Sequence, residues 1–145
     1  MGFTVDDAVR IAREAHAGQT DKSGRPYIGH PLRVMARLDG EYERMTAVLH
    51  DVVEDTAVTL DDLAAAGCPP EVIAAVDAVS KRAGEVAEDY LARVAADPIA
   101  LAVKRADIAD NSSPERLSRL DEATRDRLRA KYSRALSLLD GYASS

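Results

Sequence analysis

Met45-Thr46-Ala47-Val48-Leu49-His50-Asp51-Val52-Val53-Glu54-Asp55 sets four ionisable residues among aliphatic ones. The stretch shows no strand-like alternation, and its apolar positions recur at helical spacing, which predicts one mostly buried helix over 45–55. His50 and Glu54 fall one turn apart, and Asp51 and Asp55 repeat that offset beside them. Burying an imidazole and carboxylates without compensation costs several kcal/mol. A bound cation is one of few partners that can satisfy them together. A His-Asp doublet is weak evidence by itself, so the remaining chain must supply further ligands.

Two further blocks do. His30 follows Lys22-Ser23-Gly24-Arg25-Pro26-Tyr27 and precedes Pro31, at the start of a helix. In Val103-Lys104-Arg105-Ala106-Asp107-Ile108-Ala109-Asp110-Asn111, the residues Lys104, Asp107 and Asn111 share a helical face. His30, His50, Asp51 and Asp107 then form a mixed nitrogen and oxygen set suited to Mn²⁺, Fe²⁺, Co²⁺ or Zn²⁺, and too rich in nitrogen for Ca²⁺ or Mg²⁺. An ion held there polarises a phosphoryl oxygen and acidifies bound water, while Glu54 and Asp55 orient that water or take its proton. Hydrolysis of a phosphoanhydride or phosphoester is the natural reaction. Lys104 and Arg25 are candidates to face phosphate, and His16 fits a hydrogen-bonded structural role.

The surroundings read as all-α. Thr4 with Asp7, Thr59 with Asp62, Pro70-Glu71, Asp97-Pro98 and Ser113-Pro114-Glu115 each carry helix-start chemistry. Val72, Val76 and Val79 share one helical face, as do Tyr132, Leu136 and Leu139. Gly18–Gly29 and Ala83–Val86 read as loops. A last helix over roughly Asp121–Asp140 carries Arg125, Arg127, Arg129, Lys131 and Arg134 on a solvated face. With 145 residues and 46% hydrophobic content, one domain over 1–145 is expected, with an aliphatic core because there is no Trp and a single Phe.

Composition also excludes function classes. A net charge of -6 argues against a general nucleic-acid binder. Cys68 is the only cysteine, so no disulfide framework or thiolate metal site is expected. No stretch approaches the ~20 apolar residues of a membrane span, so no membrane association and a cytoplasmic location are expected. Oligomeric state is open.

Three blocks together resemble the HD-domain phosphohydrolases, and within them the hydrolase domains of the RelA/SpoT group and the stand-alone small alarmone hydrolases. They are Gly18-Gln19 through Lys22-Ser23-Gly24-Arg25-Pro26-Tyr27-Ile28-Gly29-His30-Pro31, then Leu49-His50-Asp51-Val52-Val53-Glu54-Asp55-Thr56, then Val103-Lys104-Arg105-Ala106-Asp107 to Asn111. The resemblance implies a compact HD-domain helical bundle with a metal site between helices, in which His30, His50, Asp51 and Asp107 bind Mn²⁺. It implies that Glu54 and Asp55 position water and that Lys22, Ser23 and Asn111 contact a small nucleotide. The implied reaction releases the 3′-pyrophosphate of guanosine tetra- or pentaphosphate.

The chain departs from the family at Asp21, where those hydrolases usually place an Arg that packs on guanine, and in Ser112-Ser113-Pro114-Glu115-Arg116-Leu117. Hydrolysis of another nucleotide such as NADPH, or non-catalytic nucleotide sensing, are the alternatives.

Overall fold

A computed structural model describes residues 2–21 and 23–144. In chain order its helices are α1 (Val5–Ala15), α2 (Gly29–Ala36), α3 (Glu41–Leu49), α4 (Val52–Asp55), α5 (Leu60–Ala65), α6 (Pro70–Val79), α7 (Ala87–Ala95), α8 (Pro98–Asn111), α9 (Pro114–Leu117) and α10 (Glu122–Ala143). Among the described residues the β structure is a single isolated bridge between Thr20 and Pro26, which pins the base of the loop before α2. The fold is all-α, as the sequence predicts.

The helix starts follow the local chemistry read from the sequence. Thr4 and Thr59 each form a capping box with the Asp three residues on, satisfying backbone donors that a first turn leaves unpaired. Asp97, Ser113 and Asp121 cap α8, α9 and α10 through their side chains, and proline occupies the first turn of α6, α8 and α9.

Helix α3 is the hub. It packs on α1, α2, α6 and α8. Met45, Val48 and Leu49 join Ala8, Ala12, Val72 and Val76 in one buried cluster, while Ala47 meets Val34 and Val103 in another. Ala47 and Ala106 are small, which brings α3 and α8 close enough for their polar ends to share one site. Residues Ala75 and Val79 of α6 join Leu91, Val94, Ile108 and Leu139 in a third cluster, which seats α10 against α7 and α8. Val72, Val76 and Val79 are all buried, the first two in the α1–α3 cluster and Val79 with Leu139 in the third, at whose edge Tyr132 and Leu136 are half-buried. Cys68 is buried beside Leu63, and burial pushes its thiol up to about 11.

The structure corrects the sequence reading at four places. The expected single helix over 45–55 is broken: α3 ends at Leu49, Asp51 leaves helical geometry at φ -101° and ψ -3°, and α4 is one turn. The His50 ring explains the break, since its Nδ1 donates to the Ala47 carbonyl at 2.5 Å and occupies an acceptor that a continuing helix would use. The expected burial holds for Met45–Leu49 and fails for Glu54 and Asp55, which are exposed. Gly29 belongs to α2 rather than the loop, and α10 runs to Ala143.

The Ala83–Val86 turn is a loop, as predicted, and Arg93 holds it. The guanidinium donates to the Asp77, Ala78 and Ser80 carbonyls at the end of α6 and pairs with Glu85 at 2.7 Å. Arg93→Ala strands these partly buried acceptors and is expected to cost about 1–3 kcal/mol. Urea denaturation should show this against Arg127→Ala, an exposed α10 position expected to stay within about 0.5 kcal/mol of wild type.

Candidate metal centre and adjoining cavity

The predicted ligands His30, His50 and Asp107 meet at one point, and Asp51 adjoins it beside His50. His30 sits in the first turn of α2, His50 caps the end of α3, Asp51 follows it, and Asp107 lies on α8. His30, His50 and Asp107 are buried, and each offers a ligand atom within 4.8 Å of the other two. The Nε2 of His30 is 2.7 Å from Asp107 Oδ1, and the Nε2 of His50 is 3.2 Å from that same oxygen. Asp51 Oδ2 lies 3.1 Å from His50 Nε2.

The chemistry of this donor set fits a metal ion. The Nδ1 of His50 donates to Ala47 and that of His30 donates to Asp110 Oδ2 at 2.7 Å, which aims both Nε2 atoms at carboxylate oxygens, where a protonated ring donates a hydrogen bond and a neutral ring offers a lone pair to an ion. Carboxylates packed against imidazoles call for positive charge between them, which ring protons supply or which a divalent ion would supply in their place. The mutual electrostatics show how strongly the cluster favours charge separation. Burial opposes ionisation of Asp107, but hydrogen bonds to His30 and His50 and the charge of Lys104 outweigh it and hold the carboxyl well below its ordinary range. Burial likewise opposes ionisation of Asp51, yet the charge and hydrogen bond of His50 bring it down to about 2.

The supporting residues were less legible. Asp110 is buried, and besides His30 it accepts from Arg33 Nε at 2.9 Å and Arg116 Nη1 at 3.1 Å. It stands one turn from Asp107 on α8, an offset that the sequence displays and that marks it as a neighbour of the site. The Tyr27 hydroxyl donates to Asp51 Oδ2, which fixes that carboxylate from the loop side. Buried His16 bonds through Nδ1 to Gln19 Oε1 at 2.9 Å and packs on the Tyr27 ring at 5.0 Å, while Gln19 Nε2 reaches the Asp55 carbonyl at 3.3 Å. His16 therefore braces the Gly18 loop against α4, the structural role expected of it.

A cavity of about 560 Å³ opens from this cluster between α4, α8 and α10. Glu54, Asp55, Ser23, Lys104 and Asn111 all line it together with the four ligand candidates. Lys22 lies outside the described residues. Desolvation first, and then the Asp51 charge, raise the carboxyls of both Glu54 and Asp55. Lys104 Nζ donates to Asp107 Oδ2 at 3.2 Å and lies 5.3 Å from the Tyr90 ring centre, so its charge is committed partly to the ligand. Asn111 Nδ2 donates to Asp107 Oδ1 at 3.3 Å. Lys131 and Arg134 of α10, read from sequence as part of a solvated face, border the cavity, whereas Arg25 does not.

Asp21 organises the loop. Its Oδ1 accepts from the backbone of Ser23 at 2.8 Å and Arg25 at 3.0 Å, and its Oδ2 lies 3.8 Å from Arg116 Nη2. Arg116, on the segment where the chain leaves the family pattern, thus ties the loop to α8 through Asp110 and Asn111.

Comparison with known proteins places these features in context. A family model described as HD domain matches residues 8–111. The bifunctional (p)ppGpp synthase/hydrolase SpoT of Escherichia coli K12 is 50% identical over 60 residues, covering 39% of this chain and 8% of that protein. The GTP pyrophosphokinase of Streptomyces coelicolor is 38% identical over 120 residues, covering 74% of this chain and 14% of that protein. The chain thus spans a small part of these curated relatives. A solved structure described as a metazoan ortholog of SpoT that hydrolyzes ppGpp superposes with a TM-score of 0.77 at 25% identity, covering 95% of this chain and 86% of that one.

The geometry around Asp110 leads to a direct test. Asp110→Ala frees the His30 ring to rotate and is expected to lower affinity for a divalent ion by about 10–100-fold. Competition with a fluorescent chelator reads the affinity, and circular dichroism shows whether the helices persist. Unchanged affinity in a folded variant would remove Asp110 from the metal site.

Proposed function

The chain belongs to the HD-domain family, and from that membership we propose that it is a metal-dependent phosphohydrolase of a phosphorylated nucleotide, acting as a 3′-pyrophosphohydrolase of guanosine tetra- or pentaphosphate. We assign His30, His50, Asp51 and Asp107 as ligands of one divalent ion, Mn²⁺ by preference, and residues 1–145 as one catalytic domain working in the cytoplasm. Among the described residues no helix is long and apolar enough to cross a membrane. The observation that carries the proposal is the convergence of His30, His50 and Asp107, with Asp51 beside them, in the lining of a cavity that Glu54 and Asp55 also line.

A divalent ion in this site supplies Lewis-acid polarisation of a phosphoryl oxygen and acidifies a bound water. The protein's own part is positioning and proton transfer. Partial desolvation and the charge of Asp51 raise the carboxyls of Glu54 and Asp55, which makes them more basic than ordinary carboxylates and suited to take the proton of an attacking water. Ser23 and Asn111 offer a hydroxyl and an amide to phosphate or ribose oxygens, and Lys104 adds positive charge close to the ligand Asp107. Lys22 is assigned the same role from the loop motif. The volume of about 560 Å³ suits a nucleotide. The names of the relatives, a (p)ppGpp synthase/hydrolase and a ppGpp-hydrolyzing ortholog of it, support the guanosine substrate.

One observation favours a second substrate. Asp21 presents a carboxylate, already engaged by the loop backbone and facing Arg116, where the family's alarmone hydrolases stack an arginine on guanine. A different base, as in NADPH, meets no loss there.

The test incubates metal-stripped protein and Mn²⁺ with guanosine tetraphosphate, NADPH, nucleoside triphosphates and 3′,5′-bisphosphates. Pyrophosphate release from guanosine tetraphosphate is expected, abolished without metal and reduced at least ~100-fold in Glu54→Ala/Asp55→Ala. Phosphate release from NADPH alone would move the assignment to the second substrate. Tight Mn²⁺-dependent binding without turnover of any compound would replace the enzyme by a sensor.

A further inference from the structure

Asp110 is also a wall of a second depression, of about 350 Å³, which α2, α9 and the loop around Arg25 enclose. Its lining is dominated by arginine: Arg25, Arg33, Arg37, Arg116 and Arg119 stand against Asp110 and Glu115. This is a local excess of positive charge on a chain whose net charge is -6. The proposed hydrolase activity makes no use of four of these arginines.

The spacing of the cations is unfavourable without a ligand. Arg33 and Arg37 are four residues apart along α2 and its C-cap, and Arg116 and Arg119 are three apart along α9 and the turn after it. Like charges at these offsets repel. The counter-charges do not cancel them. Asp110 is divided between Arg33 and Arg116, and Arg119 pairs at 3.1 Å with Glu115, whose side chain is 82% exposed. Arg25 and Arg37 are exposed and make no ion pair among the described residues.

Guanidinium groups present planar forks of N–H donors that match the oxygens of phosphate, and several forks around one hollow match a group with several oxygens better than a single carboxylate. We propose that this depression is a second anion site, separate from the metal-centred cavity, that takes a diphosphate or polyphosphate group, free or as the tail of a nucleotide. The proposal stands independently of the hydrolase assignment, because it needs no metal and no turnover.

Titration calorimetry on the full chain in EDTA tests it, with inorganic pyrophosphate and ADP as probes. Wild type is expected to bind one equivalent at this site. Arg25→Ala/Arg37→Ala, which breaks no ion pair among the described residues and should melt like wild type, is expected to weaken that binding about tenfold or more. Lys81→Ala/Lys131→Ala, on the wall of the metal-centred cavity, is expected to keep it within about twofold. Tighter pyrophosphate identifies a free diphosphate, and tighter ADP identifies a nucleotide tail. Absence of binding to wild type, or a loss confined to the lysine variant, overturns the proposal.

Discussion

Asp107 Oδ1 stands against two imidazole nitrogens at once, and the rest of the molecule is arranged to tolerate that. A buried carboxylate facing buried lone pairs is unstable without positive charge between them. The protein answers at two levels. Lys104 and Asn111, each within about one turn on α8, donate to the Asp107 carboxylate, and the cluster of His30, His50 and Asp107 offers ligand atoms for the charge of an ion. The close packing of α3 on α8 through Ala47 and Ala106 is a condition of that cluster, since larger residues there would separate His50 from Asp107. Stability of the hub and chemistry of the site therefore rest on the same helix pair.

The break after Leu49 follows from the same constraint. A helix continuing through Asp51 would keep rotating by its regular step and leave the His50 ring beholden to helical geometry. Instead the ring closes on the Ala47 carbonyl and α4 sets off anew, so that His50 meets both Asp51 and Asp107 while Glu54 and Asp55 line the cavity. Tyr27 and His16 then buttress the broken segment from the loop side. Exposure of the two acids is compatible with work on water in a way that full burial is not, because an acid sealed in the core has no access to the nucleophile.

Sequence reasoning reached the helix starts because capping is local: Thr4, Thr59, Asp97, Ser113 and Asp121 act on backbone groups within three residues. It reached His30, His50, Asp51 and Asp107 because ionisable residues in aliphatic stretches are costly enough to be noticed one block at a time. It failed at the helix break, since apolar periodicity runs through His50 and Asp51 unchanged and the competing bond is a side-chain rotamer. It also missed Arg116 and Arg33, because an arginine on a helix carries no mark of the carboxylate it meets; the Arg33–Asp110 contact spans 77 residues. Asp110 lay between these cases, visible by its offset from Asp107 but without a motif of its own.

Those missed residues connect what the two cavities do. Asp110 orients His30 on one side and shares its oxygens with Arg33 and Arg116 on the other. Arg116 extends the chain of contacts to Asp21, the carboxylate that shapes the loop carrying Ser23. An anion among the arginines draws on guanidinium donors that now hold Asp110, so its binding free energy and the placement of the His30 ring are linked through shared hydrogen bonds. The strength of that linkage is bounded by the difference between Arg33 and Arg116 bound to Asp110 and the same groups bound to phosphate. Because Arg25 and Arg37 make no ion pair among the described residues, an anion bound there would gain contacts from them without first breaking any. An anion held first by Arg25 and Arg37 would therefore leave the Arg33 and Arg116 contacts to Asp110 in place.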